Sequence, residues 1–159
     1  MLELDKGSYQ LVIAGAPGMD KLFYKPYLSE SVSIVFEDTY NLLSHSEAAI
    51  VCSGTATLET ALFNVPQVCG YKAGWLSYLI AKFLVKIPYI SLVNLCLGKK
   101  CITELIQGEL NVTNLESELR AILPEGKSHI AMMEDYITLK KELGEAGASR
   151  KAAELVVGL

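Results

Sequence analysis

Ala48-Ala-Ile-Val-Cys52-Ser53-Gly54-Thr55-Ala-Thr-Leu-Glu59-Thr-Ala-Leu62 changes character at its three small residues. Ala48 to Cys52 is a short continuous apolar run, the pattern of a strand covered on both faces of a parallel sheet. Thr55 to Asn64 reads as a helix. Ser53-Gly54-Thr55 is then a strand-to-helix turn. Gly54 has no Cβ, so its backbone can approach a ligand closely. Ser53 or Thr55 can cap the helix. The free N–H groups and positive dipole end of that helix suit a phosphate or diphosphate. Glu59 lies four residues beyond Thr55, one turn along on the same face, where a carboxylate can accept both hydroxyls of a ribose. A capped helix with a solvated Glu59 explains the same residues, so the stretch by itself leaves both readings open.

Working outward, strand-like runs bounded by turn residues recur at 10–14, 32–36, 67–71 and 89–92. Helical patterns lie between them at 19–29, 39–44 and 75–86. Strands alternating with helices imply right-handed βαβ units and a parallel sheet. From Lys99 onward the pattern reads as wholly helical, over 100–107, 113–123, 128–143 and 149–157, with Thr113-Asn-Leu-Glu116 as a capping box. The expected architecture is α/β: a Rossmann-like domain over 1–110 and a helical C-terminal extension over 111–159. In such sheets ligands bind beyond the carboxyl ends of the strands. Five loops should share that edge: 15–18, 37–38, 53–55, 72–74 and 91–94.

Bulk composition narrows the function. The chain has 159 residues, 51 % hydrophobic and 20 % charged, which excludes disorder. Its net charge of −4 argues against a nucleic-acid binder. The charge is uneven, however. From Thr60 to Thr103 there is no Asp or Glu, and Lys72, Lys82, Lys86, Lys99 and Lys100 make the segment +5. An anionic partner meeting one side of the molecule is implied. Cys52, Cys69, Cys96 and Cys101 form no CxxC pair and read as free thiols in a reducing compartment. His45 and His129 have no zinc-ligand spacing, so no metal is expected. Met1-Leu-Glu-Leu-Asp-Lys6 is not a signal peptide. Lys82, Lys86 and Pro88 break up the apolar stretch at 75–97, which excludes a membrane span.

Other patterns are less specific. Gly15-Ala-Pro17-Gly18 is an ordinary strand-to-helix turn. Tyr78, Lys82 and Lys86 follow helical spacing, which fits either lysines snorkelling from a core helix or contact with an anionic lipid surface. Glu104 and Gln107, three apart, share one face of an expected helix; spacing alone favours a plain amphipathic helix, and the functional alternative turns them towards a sugar with the amide of Asn94 reaching into the same cleft.

Taken in order, Ser53-Gly-Thr-Ala-Thr-Leu-Glu59, Val65-Pro66, Tyr71-Lys72, the run from Ala81 through Asn94 to Gly98-Lys99, and Glu104-Leu-Ile-Gln107 resemble lipid-A-disaccharide synthase. The resemblance covers nearly the whole chain and is strongest between Ala48 and Gln107. It implies a family 19 glycosyltransferase of the GT-B class, acting at the cytoplasmic face of the inner membrane of Gram-negative bacteria. Such enzymes join UDP-diacylglucosamine to diacylglucosamine 1-phosphate, release UDP and need no metal or other cofactor. By the match, Ser53, Gly54 and Thr55 would bind the diphosphate and Glu59 the ribose. Asn94, Glu104 and Gln107 would face the cleft, and Phe36 and Glu37 would lie near the uracil. Lys72, Lys82, Lys86 and Lys99 would meet phosphate or anionic lipid. The family usually has Pro where Val93 stands and Arg where Lys99 stands; Lys keeps the charge without the planar two-pronged donor.

The resemblance also implies that this is the C-terminal, donor-binding half alone. The catalytic base would belong to the N-terminal half, and the chain by itself would be inactive. Homo-oligomerisation stays open. The match begins after that half's first strand, which is central in a 3-2-1-4-5-6 order, so a gap is expected between the strands at Leu11 and Ala48. The helices after Ser128 would lack part of their packing surface. Two alternatives remain: another GT-B half, from an epimerase or the peptidoglycan transferase, and a non-catalytic module peripheral to a membrane.

Overall fold

The computed structural model describes residues 9–52, 54–74, 88–144 and 147–158. Among the described residues, five strands paired in parallel are flanked by helices, a Rossmann-like α/β arrangement consistent with one half of a GT-B fold. Strand β1 (Leu11–Gly15) leads through α1 (Lys21–Tyr24) and a 3-10 turn (Lys25–Tyr27) to β2 (Val32–Phe36). Then come α2 (Thr39–Ser44), β3 (Ala49–Cys52), α3 (Thr55–Leu62) and β4 (Gln67–Tyr71). Helix α4 (Leu92–Leu97) precedes β5 (Thr103–Ile106) and a 3-10 turn (Gln107–Glu109). Helices α5 (Val112–Ile122), α6 (His129–Leu143) and α7 (Ala148–Val157) close the chain.

The strands form two sheets. β1 pairs with β2 in register Leu11↔Val32 to Gly15↔Phe36. β3, β4 and β5 form the second sheet, with Cys52 opposite Gly70 and Tyr71 opposite Ile106. No ladder joins β1 to β3 among the described residues. This separation is consistent with the gap expected between the strands at Leu11 and Ala48.

The core lies around β4, whose first four residues are buried. Val68 and Cys69 pack with Ala61 of α3, Val93 of α4, Ile102, Leu105 of β5, Leu119 and Ile122 of α5, and Met132, Tyr136 and Leu139 of α6. Burying a large apolar side chain contributes about 1.5–3 kcal/mol each, so α6 is held firmly by its three fully covered residues. Helix α7 is different: Leu155, Val156 and Val157 are 85 %, 87 % and 68 % exposed. Helix α6 buries one face but leaves Ile130 and Ile137 exposed, so the expectation of missing packing surface agrees with both helices, most fully with α7.

Four sequence readings are corrected. The strand expected at 89–92 is instead the approach to α4, because Ser91 caps that helix by accepting from the Asn94 N–H. The helix expected at 100–107 is strand β5, where pairing with β4 overrides helical spacing. The helix expected at 19–29 stops at Tyr24, and Pro26 stands in the following 3-10 turn. Helix α5 is capped by Asn111, two residues before Thr113, its side chain accepting from the Asn114 N–H. The helical pattern at 75–86 lies outside the described residues, as do Ser53, Lys82 and Lys86.

Candidate functional site

Strand β3 delivers the turn that opens α3. Gly54 is the N-cap with φ 111°, a conformation that side-chain-bearing residues rarely adopt. A Cβ built on Gly54 meets no described residue within 4 Å. Its carbonyl accepts from the Thr57 N–H at 3.2 Å and the Thr57 hydroxyl at 2.8 Å, which fixes the turn from below. Thr57 is buried, and its own carbonyl accepts from Gln67 Nε2 at 2.9 Å, tying the turn to β4. Thr55, the first helical residue, is exposed. Glu59 is half-buried one turn along, and its carboxylate makes no hydrogen bond or ion pair with another described residue.

The other predicted residues divide into two groups. Glu37 follows β2 with φ 57° and Gln107 follows β5 with φ 52°, two of the three non-glycine residues in the left-handed region among those described. Strain of this kind costs on the order of 1–3 kcal/mol and clusters at ligand sites. Phe36 packs edge-on against Tyr24, ring centroids 5.8 Å apart. A Cβ on Gly15 would stand 2.3 Å from the Phe36 ring, so only glycine allows that approach.

Gln107 and Glu104 act on backbone. Gln107 Nε2 donates to the Ala73 carbonyl at 3.1 Å and Oε1 accepts the Ala73 N–H at 2.9 Å. Glu104 accepts from the Ile90 N–H at 3.0 Å, from the Ser91 N–H at 2.9 Å and hydroxyl at 2.7 Å, and from Asn94 Nδ2 at 2.9 Å. Asn94 is fully buried; its Oδ1 accepts from the Cys101 and Ile102 N–H groups, and Nδ2 also donates to the Ile102 carbonyl. All the hydrogen-bonding capacity of that amide is spent inside the fold.

A cleft of about 470 Å³ lies beyond the C-terminal ends of β4 and β5, lined by Lys72, Ala73, Gln107, Gly108 and Leu110. Lys72 is exposed there. Lys99 lies elsewhere, paired with Asp135 of α6, whose hydrogen bond and charge raise the lysine's pKa despite some desolvation. The register places the Gly54 turn, the Lys72–Gly74 loop and Gln107 along one edge of the three-stranded sheet. The loop at 91–94, expected on that edge, begins α4 instead. Among the described residues no His, Cys, Asp and Glu cluster suits a metal.

Sequence reading missed Thr57 and Ser91. A threonine three residues after the turn glycine, and a serine three residues before Asn94, are the local signals that could have found them.

A family model described as lipid-A-disaccharide synthetase matches residues 21–157. The chain belongs to the lipid-A-disaccharide synthase family. It is 36 % identical over 154 residues to lipid-A-disaccharide synthase of Anaeromyxobacter dehalogenans (strain 2CP-1 / ATCC BAA-258), covering 94 % of this chain and 40 % of that protein. The match to the Syntrophus aciditrophicus (strain SB) protein of the same name is also 36 %, with the same coverage. The Myxococcus xanthus (strain DK1622) protein is 29 % identical over 169 residues, 99 % of this chain and 42 % of that one. The chain thus spans about two fifths of the length of these relatives. Lipid-A-disaccharide synthases are glycosyltransferases, and the resemblance carried by Ser53 to Gln107 is the one the family match bears out.

Proposed function

We propose that this chain is the nucleotide-holding half of a lipid-A-disaccharide synthase and binds the UDP part of a UDP-diacylglucosamine donor. The observation that carries the reading is the Gly54 turn: a left-handed glycine at the tip of an eight-residue helix, clear of other described residues, with Glu59, unpartnered among the described residues, one turn beyond. Free N–H groups at a helix start attract diphosphate oxygens, and Glu59 accepts from the ribose hydroxyls. Ser53 and Thr55 flank the same diphosphate, while Phe36 and Glu37 border the uracil.

In the transfer, an acceptor hydroxyl displaces UDP with inversion at the sugar carbon. Negative charge grows on the departing diphosphate, and a preoriented helix tip stabilises it without reorganising. Lys72 adds positive charge from the neighbouring loop, as would Lys82 and Lys86. Lys99 joins this anion contact only at the expense of its ion pair with Asp135. The general base belongs to polypeptide outside this chain, so this chain alone binds donor nucleotide and does not transfer sugar. Asn94, Glu104 and Gln107 serve the cleft by holding its backbone.

The acceptor, diacylglucosamine 1-phosphate, and a cytoplasmic-face membrane contact follow from the same reading. No helix among the described residues is long and apolar enough to cross a membrane. Exposed Leu22, Phe23 and Tyr27 stand beside Lys21 and Lys25, a composition that fits a lipid surface. Calorimetric titration with UDP tests the proposal. Binding that weakens on Glu59→Gln supports it; a folded chain that ignores millimolar UDP contradicts it.

A further inference from the structure

Gln67, the first residue of β4, is fully buried, as are Thr57 of α3 and Tyr136 of α6. The three stand on different elements and form one hydrogen-bonded line. Gln67 Nε2 donates to the Tyr136 hydroxyl at 3.1 Å and to the Thr57 carbonyl at 2.9 Å. Thr57 in turn holds the Gly54 carbonyl with its N–H and its hydroxyl. The line runs from α6, through the core, to the glycine that opens α3. Both hydrogens of the Gln67 amide are used, so the amide cannot turn without breaking a bond. Its Oε1 is buried with no hydrogen-bond partner among the described residues. A buried acceptor left unmet is a cost, and Met, of the same length, would fill that place without it. What the amide adds over an apolar side chain is direction: it fixes Thr57 relative to Tyr136. Helix α6 also holds the other end of α3. Lys140 Nζ donates to Asn64 Oδ1 at 2.7 Å, and the Asn64 N–H donates to the Ala61 carbonyl. α3 is thus tied to α6 near its first turn and just past its last.

We infer that Gln67 and Tyr136 are positioning residues for the Gly54 turn, and that α6 through them sets the aim of the helix-tip N–H groups at a nucleoside diphosphate. This rests on the reading of that tip as the UDP site. Helix-start N–H groups favour a diphosphate only when they point at its oxygens. A small misplacement caused by a change far from the ligand weakens such an arrangement steeply. Gln67 and Tyr136 are enclosed in the core, so they act through Thr57 and not by touching nucleotide.

Calorimetric titration of the full chain with UDP, beside thermal unfolding, tests the inference. Tyr136→Phe removes one hydroxyl and keeps the ring. Gln67→Met keeps the length and removes the amide. Leu139→Val is the control, because it loosens the same buried face of α6 and removes no polar atom. The expected result is UDP affinity lower by about threefold in Tyr136→Phe and about tenfold in Gln67→Met, with wild-type affinity in Leu139→Val at a comparable loss of melting temperature. The double variant should bind no more weakly than Gln67→Met, because Tyr136 acts through the amide. If Gln67→Met does not fold, Tyr136→Phe against Leu139→Val decides alone. Wild-type affinity in Tyr136→Phe, or an equal loss in Leu139→Val, overturns the inference and leaves the UDP site standing. A folded wild-type chain that ignores millimolar UDP overturns both.

Discussion

Gln107 grips Ala73 with both ends of its amide, donating to the carbonyl at 3.1 Å and accepting the N–H at 2.9 Å. This pins the loop after β4 to the end of β5. Three residues earlier, Glu104 gathers Ile90 and Ser91 onto the same strand. Ala73 and Ile90 are thus both tied to β5, and the cleft wall formed by Lys72 and Ala73 is set from that strand.

Replacing Gln107 by Ala removes both bonds. Each is worth about 0.5–1.5 kcal/mol, and the left-handed backbone at 107 is no easier for alanine. Loss of about 1–3 kcal/mol in urea unfolding is expected, with faster exchange of the Ala73 amide. Gln107→Glu keeps the acceptor only and should fall between the two.

Asn94 should be less tolerant. Its buried amide satisfies two backbone N–H groups and one carbonyl. Asn94→Ala orphans all three, and about 2–5 kcal/mol of destabilisation is expected. Glu104→Gln keeps part of its acceptor set and should cost less than Glu104→Ala, read by thermal unfolding.

The thiols provide a pH test. Burial, reinforced by the negative charge of Glu104, raises Cys69 to about 11, and burial with the Asp135 charge raises Cys101 to about 12. Cys52 and Cys96 are exposed. A thiol reagent at pH 8 should modify Cys52 and Cys96 quickly and the other two only on unfolding. The linkage has one sign. Above the ordinary thiol pKa the unfolded chain binds fewer protons than the native one, so stability falls as pH rises from about 9 towards 11–12 and is fully present below that window.

What the sequence disclosed follows from where local signals agree with packing. The turn at Gly54 was legible because an apolar run, a glycine and a helix follow in order, and the fold repeats that order. The stretch from Tyr89 to Gln107 was not. Tyr89 to Leu92 has strand composition, yet Ser91 caps a helix at that point. Ile102 to Gln107 has helical spacing, yet β4 offers a pairing edge. Three functional candidates in this stretch were picked by type, while their work on backbone emerged only from the contacts. The separate pairing of β1 with β2 and of β3 with β4 agrees with the strand order that the family resemblance implies.

The central claim is that the tip of α3 holds a diphosphate while Glu59 holds the attached ribose. Calorimetric titration of the folded chain with UDP, beside Glu59→Gln, tests it most directly. The account predicts a Kd on the order of 1 mM or tighter and about a tenfold loss in the variant, close to 1.4 kcal/mol, with thermal stability unchanged. A folded chain with no heat of binding at millimolar UDP, or equal affinity in the variant, would contradict it.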